Sequence, residues 1–472
     1  MRSRTQLVQS RLSTTAYPFY RGVVLSSFIG LAIALAAFHS PGEMSVDSVM
    51  ALYSAMKGAA QGWGPTFMSA TLAWLGGGAI GTSLFVALIC VLTYGCFAIV
   101  LTDRHASKVP VWQIVLAILL ALNPLFMFYV GIIWKDVMQA TVAMVAATLL
   151  LLATYRHGRS RFALLGLAAV ITGILVPIRQ QGVLLAVPIA TAIGWLTVIE
   201  LWQRTLPRLM GTVVCVGFVF GCSFGFYALS AATVAPQANG PVSVGIFTIQ
   251  AYDIAGMIKD AKPGDPSAWS HAPLDVQESI KAHYSSERID TIWHLENVRN
   301  YFNGLSAEQY MAVWFHGIEH DPRAYVKSRF RAFGSLLGLH NITGCVPAFA
   351  GIGALPEQVA QLGLENGMNE RAHILGRAVV ALYPTPVFRN WFYGFLLLVA
   401  SGWILFGTRG DVRVGAGGIA IAAWLYLLSF LPTTIACDVR YLYPVASLST
   451  ALCLFLLTHT MLIQGKASRD AD

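Results

Sequence analysis

Ionisable side chains stand at four places where the surrounding sequence is apolar or poor in charge. Asp47 lies in Ser45–Val46–Asp47–Ser48, just ahead of an amphipathic run over 49–57. Lys135 and Asp136 follow Trp134 between two apolar runs, and Arg179 sits in Pro177–Ile178–Arg179–Gln180–Gln181–Gly182. Asp438 and Arg440 precede the last apolar run. Lys and Arg bind phosphate oxygens through charge-assisted hydrogen bonds. A carboxylate beside them can take a proton from an attacking hydroxyl. Two or more cations and an acid around a wet cavity therefore suit a phosphate-bearing substrate.

The elements that must position these groups are membrane helices. Of 472 residues, 56% are hydrophobic and only 11% charged, where a soluble domain is nearer a quarter charged. Apolar runs at about 22–38, 79–101, 111–130, 137–154, 162–178, 182–200, 211–231, 391–407, 415–432 and 442–463 approach or reach the length of a bilayer crossing. Each must be helical, because lipid offers no partner to a free backbone amide. Pro110, Pro177 and the cluster Gly415, Gly417, Gly418 mark expected joints. The expected fold is an all-α polytopic membrane protein of about ten spans. One extracytoplasmic, mainly helical domain is inserted between the seventh and eighth. The division is 1–231 (with the first external loop at 39–78), 232–390 and 391–472.

Orientation follows from the loops. One set carries Arg2, Arg4 and Arg11; Arg104 and Lys108; Arg156, Arg159 and Arg161; Arg204 and Arg208; Arg409 and Arg413; Lys466 and Arg469. The opposite short loops hold only Lys57, Lys135, Arg179 and Arg440. Cytoplasmic loops collect Lys and Arg, so both termini are expected in the cytoplasm and the four segments bearing the ionisable groups on the outer face of the inner membrane. The same bias accounts for the net charge of +8. With no basic run carrying interleaved aromatics, no nucleic-acid partner is expected. The first run could be a cleaved signal peptide, but its preceding tail is long for one, and an uncleaved anchor is the favoured reading.

An ionisable group at membrane depth costs a few kcal/mol and usually faces a polar cavity. Any one of these groups alone could be a side chain snorkelling to headgroups. Four remote segments at one level favour a shared site.

The polar stretch 232–390 holds the turn Pro263–Gly264–Asp265–Pro266 and the amphipathic piece Val276–Tyr284. Phe333–Leu339 and Ile374–Phe388 are apolar but short and are expected at the interface, as is the basic segment Tyr325–Arg331. His316, Glu319 and His320 share one helical face, yet Gly317 stands where a zinc protease needs Glu, so a solvated helix end is the reading. His316 is retained as a candidate acceptor contact. Cys90, Cys96, Cys215, Cys222 and Cys453 lie in apolar runs. Cys345 and Cys437 both fall outside, where they could pair. The sequon at Asn341 signals glycosylation only in a suitable secretory host.

Taken in order, these motifs resemble the GT-C superfamily of glycosyltransferases, which take sugars from polyprenyl-phosphate donors outside the cytoplasm. Ser45–Val46–Asp47–Ser48 followed by Gly62–Trp63–Gly64–Pro65 is similar to the superfamily's acidic first loop with its downstream Trp and Pro. Trp134–Lys135–Asp136–Val137 resembles its second acidic turn. Arg179–Gln180–Gln181–Gly182 and Asp438–Val439–Arg440–Tyr441–Leu442–Tyr443–Pro444 resemble patterns of bacterial members. The resemblance covers the membrane portion. It implies Asp47 as catalytic base, Asp136 as a second acid, and Lys135, Arg179 and Arg440 as binders of the donor phosphate. Trp63, Asp438 and Tyr441 would be weaker substrate contacts. It implies a polyprenyl-phosphate sugar as substrate, an envelope glycan, lipid or protein as acceptor, membrane lipid as a partner and no cofactor. Ser48 stands where many members carry a second acid, and the Trp–Gly–Pro element is reduced. Without paired carboxylates in the first loop, no metal is expected.

Three rivals remain. A transporter predicts inverted repeats and helices broken at matching positions, and neither is found. A ligase or polymerase of lipid-linked glycans also uses a large external loop with Arg residues, but Asp47 favours a monosaccharide-phosphate donor. The third is a non-catalytic scaffold.

Overall fold

The computed structural model describes residues 4–61, 65–102, 111–201, 205–237, 241–261, 269 and 271–459. Trp63 with Gly62 and Gly64, the turn at 263–266, Pro110, and the basic residues Arg2, Arg104, Lys108, Arg204, Lys466 and Arg469 lie outside the described residues. Among the described residues the regular structure is entirely helical, with isolated bridges tying loops together.

Ten helices among the described residues are long and apolar enough to cross a membrane. In chain order they are Phe19–His39, Gly78–Thr102, Trp112–Tyr129, Lys135–Ala153, Gly158–Ile178, Gly182–Ile199, Arg208–Thr233, Asn390–Gly407, Gly410–Thr433 and Val439–Thr458. This is the architecture of an all-α polytopic membrane protein, and the segments coincide with the apolar runs to within a few residues. The fourth and tenth are the most enclosed, while the first, seventh and eighth leave most of their surface facing outward.

One joint was not expected, and one expected joint does not form. The third segment breaks in its middle: Val111–Ala121 ends, and Asn123 Oδ1 accepts from Leu125 N at 2.9 Å to start Pro124–Tyr129. An Asn cap with Pro at the first helical position needs no donor from the preceding turn. The Gly415–Gly417–Gly418 cluster does not break a helix and lies inside the ninth, which begins at Gly410. A Cβ at Gly418 would stand 2.5 Å from the Ala192 Cβ, and one at Gly415 would stand 2.7 Å from Thr154 Cγ2. These glycines let two helices approach closely, as small residues do between membrane helices.

The segment between the seventh and eighth apolar helices divides by its packing. Helices Pro241–Asp260, Leu274–His283, Glu296–Gly304, Ala307–His320 and Pro322–Leu337 bury Tyr252, Ile258, Ile280 and Phe302 in a core of their own. Residues 345–389 pack instead into the main core, through Ala348, Val359, Val379 and Phe388. Phe333–Leu337 forms the last turn of Pro322–Leu337, which Gly338 ends in the left-handed conformation (φ 72). Ile374–Leu382 belongs to helix Glu370–Leu382, followed by a 3-10 turn at Pro386–Phe388. Neither is among the ten long apolar helices.

The first loop is clamped between two others. Glu43 N bonds Gly131 O and Ile133 N bonds Glu43 O, while Met44 N bonds Gly351 O and Gly353 N bonds Met44 O, all at 2.9–3.0 Å. From this clamp the helix Val46–Lys57 starts, with Ser48 Oγ accepting from Ser45 N, and it ends at left-handed Gly58.

Candidate functional site

Each acid or base of the site stands in a helix's first turn or in the turn beside a helix end. Asp47 occupies the first turn of Val46–Lys57 and Asp136 the first turn of the fourth apolar helix. Helix N-termini favour a carboxylate there. Arg179 caps the end of the fifth apolar helix, where Gly182 N closes a turn onto Arg179 O at 2.7 Å. Any Cβ at Gly182 would collide with the Leu175 carbonyl, so this turn requires glycine. Arg440 sits in the 3-10 turn Val439–Leu442.

The geometry joins these ends into two ion pairs linked by aromatic rings. Arg440 Nη1 donates to Asp47 Oδ2 at 2.8 Å, and Arg440 Nε lies 3.4 Å from Asp438 Oδ2. The Arg440 guanidinium also lies over the Trp134 ring at 4.8 Å and the Tyr441 ring at 5.5 Å. Trp134 Nε1 donates to Ser45 Oγ at 2.8 Å, tying that ring to the first loop. Arg179 pairs with Asp136 and lies 5.3 Å from the centre of the Tyr441 ring. Tyr441 therefore touches both guanidinium groups.

A pocket of about 680 Å³, open mouth included, has Asp47, Lys135, Arg440 and Trp134 on its wall, with Ser54 and Ser69 beside them. The Asp47 side chain is 48% exposed. Partial burial alone would raise its carboxyl pKa, but Arg440 and Lys135, with Arg179 farther off, outweigh that and hold it below the usual carboxylate range. It is therefore ionised at neutral pH. Lys135 is half-buried and lies within electrostatic reach of Asp47, Arg179 and Arg440.

The expected site residues thus separate. Asp47, Lys135 and Arg440 share the pocket wall. Asp136, Arg179, Asp438 and Tyr441 are not on it. Asp136 is almost fully buried against Arg179, so both groups are engaged with each other rather than with the cavity. His316 stands exposed on helix Ala307–His320 beside the His271 and His320 rings, away from this pocket. The basic segment expected at headgroups has its cations paired within its own region. Arg329 Nε meets Asp253 at 2.5 Å, and Arg331 and Lys327 meet Asp260 at 2.7 and 3.4 Å. The reason is that its helix packs on Pro241–Asp260, which supplies both acids.

Sequence reasoning missed Trp134, Ser54 and Ser69 as wall residues, and it missed the pair that supports them. Glu43, 1% exposed, meets Arg371 Nη2 at 3.2 Å and accepts from Gly351 N. An acid four positions before Asp47 in a charge-poor loop was a signal, but nothing in the sequence marked Arg371 as its partner. The Cys345–Cys437 disulfide is formed, three residues before Arg440.

Compared with known proteins, the chain matches no family model, no curated protein and no solved structure.

Proposed function

We propose that this chain is an integral-membrane glycosyltransferase of the GT-C type. It moves a sugar from a polyprenyl-phosphate donor to an envelope glycan, lipid or protein acceptor at the outer face of the cytoplasmic membrane. The observation that carries the reading is one pocket wall bearing an ionised, half-exposed carboxylate (Asp47) with Lys135 and Arg440 beside it.

In this reading the donor phosphate binds at Lys135 and Arg440. The acceptor hydroxyl gives its proton to Asp47 while its oxygen bonds the anomeric carbon. The bond from that carbon to the phosphate oxygen breaks, and the charge left on the phosphate is stabilised by the two cations. Arg440 exchanges its Asp47 partner for phosphate as the donor arrives, which leaves the carboxylate free to act as base. A single displacement of this kind inverts the anomeric centre. Asp136 acts indirectly, by holding Arg179 against Tyr441. The outward-facing site, the cytoplasmic termini and the extracytoplasmic helical insertion over 232–390 are part of the proposal. The loop charge bias supports them, and so does the disulfide near Arg440, since such bonds persist in oxidising compartments.

The experiment is mass spectrometry of envelope glycans from cells with and without the protein, with Asp47→Asn as control. Loss of one sugar in both the deletion and the variant, at unchanged protein level in the membrane, supports the reading. An unchanged glycan profile on deletion, or full transfer by Asp47→Asn, removes it.

A further inference from the structure

A second concavity lies between the loop 346–350 and helix Glu370–Leu382. It encloses about 1300 Å³, open mouth included, and its walls are mainly apolar, with Val346, Phe349 and Val380 among them. Val346 and Val380 are largely exposed. Arg377 and His373 also line it, one turn apart on the same helix, and no carboxylate does. Both basic side chains are exposed.

The helix that forms this wall leads through the 3-10 turn Pro386–Phe388 straight into the eighth apolar helix, Asn390–Gly407. The groove therefore stands near the level where that helix leaves lipid. Its apolar lining is followed along the chain by the exposed Trp391, Phe395 and Leu398 of the same helix. An apolar trough beside lipid, bordered by Arg377 and His373 with no carboxylate on its wall, matches one kind of occupant.

We propose that this groove holds the hydrocarbon chain of an anionic bilayer phospholipid, with its phosphate at Arg377 and His373. Hydrocarbon burial stabilises the chain end, and charge-assisted hydrogen bonds hold the head. A polyprenyl-phosphate donor has the same chemistry, but it would have to present its phosphate to Lys135 and Arg440. The groove shares no wall residue with that pocket. The loop between them is tied down where Tyr129 Oη donates to Pro347 O at 2.6 Å and Gly351 N donates to Glu43. The inference concerns the membrane protein alone and stands whether or not the proposed transfer occurs.

The test is native mass spectrometry of the full chain, delipidated in detergent and titrated with phosphatidylglycerol, phosphatidylcholine or undecaprenyl phosphate. Wild type should retain one phosphatidylglycerol with about tenfold preference over phosphatidylcholine. Arg377→Glu should weaken that retention roughly tenfold, the scale of one lost contact to a charged group, with an unchanged unfolding midpoint. Val380→Trp, which fills the trough without altering charge, should also lose it. Undiminished binding by either variant, equal retention of phosphatidylcholine, or retention of undecaprenyl phosphate in preference to phosphatidylglycerol by the wild type would overturn the assignment.

Discussion

Arg440 and Asp47 lie 393 positions apart in the chain, yet Arg440 Nη1 donates to Asp47 Oδ2 at 2.8 Å on the wall of one pocket. Arg440 is also the largest of the charges that draw the Asp47 pKa down. In the proposed transfer, the pair would couple phosphate binding to base strength.

This coupling has a sign. A carboxyl held below the usual range keeps its base form as pH falls, so the acid limb of kcat/KM for transfer should lie below that of an ordinary carboxylate. Arg440→Gln removes the main lowering charge, and the acid limb should move to higher pH. A pH–rate profile of the two proteins checks this, and coincident acid limbs would contradict it.

Removing the proposed base is a larger perturbation. Asp47→Asn should lower kcat by about 10²–10⁴, the usual range for general base catalysis, while donor binding persists or tightens because Arg440 is released. Single-turnover assays with labelled donor separate the two effects. A fall in donor affinity with kcat intact would reassign Asp47 to binding.

Arg440 acts through a plane as well as a charge, since its guanidinium lies over Trp134 and Tyr441. Lys keeps the charge and loses the stacked, forked geometry. Arg440→Lys should raise the donor KM by roughly tenfold, and Arg440→Ala by more, as charge-assisted contacts are worth about 1.5–3 kcal/mol. Equal KM for Lys and Arg would show that stacking contributes nothing.

Asp136 and Arg179 form the buried pair behind the pocket, at 1% and 16% side-chain exposure. Asp136→Leu leaves a cation without its partner and should cost roughly 3–5 kcal/mol. Adding Arg179→Met should recover part of that loss. Thermal unfolding of the single and double variants in detergent measures the coupling. A double variant as unstable as the sum of the singles would show that the pair does not interact.

The strap 434–440 that carries Arg440 is held from outside the membrane helices. Arg329 Nη1 donates to Thr434 O at 2.8 Å, Cys437 N donates to Glu287 O at 2.7 Å, and Cys437 is bonded to Cys345. Cys345→Ser together with Cys437→Ser should lower stability by about 2–4 kcal/mol and raise the donor KM, with little change in kcat. Thiol counting before and after reduction should yield two additional thiols in wild type. Finding none would remove the bond.

How much of this was legible before the structure follows from what kind of signal each feature leaves. A bilayer-length apolar run is local, so the ten helices and the ends at which Asp47, Lys135, Asp136, Arg179 and Arg440 sit could be read from hydropathy and loop charge alone. A glycine in such a run is ambiguous, because it can break a helix or admit a neighbour. Gly415 and Gly418 admit Thr154 and Ala192, and only the packed neighbours reveal it.

The primary structure alone determined that ionisable groups gather at one set of helix ends, because lipid rejects charge and confines it to the termini of apolar segments. Which charge meets which was decided by the tertiary structure. Asp47 took Arg440, Asp136 took Arg179, and Glu43 took Arg371. These pairings join residues 43, 328 and 393 positions apart, and their energies depend on distances that only helix packing sets. Hydropathy locates a charge along the membrane normal but carries no information about its neighbours within the plane.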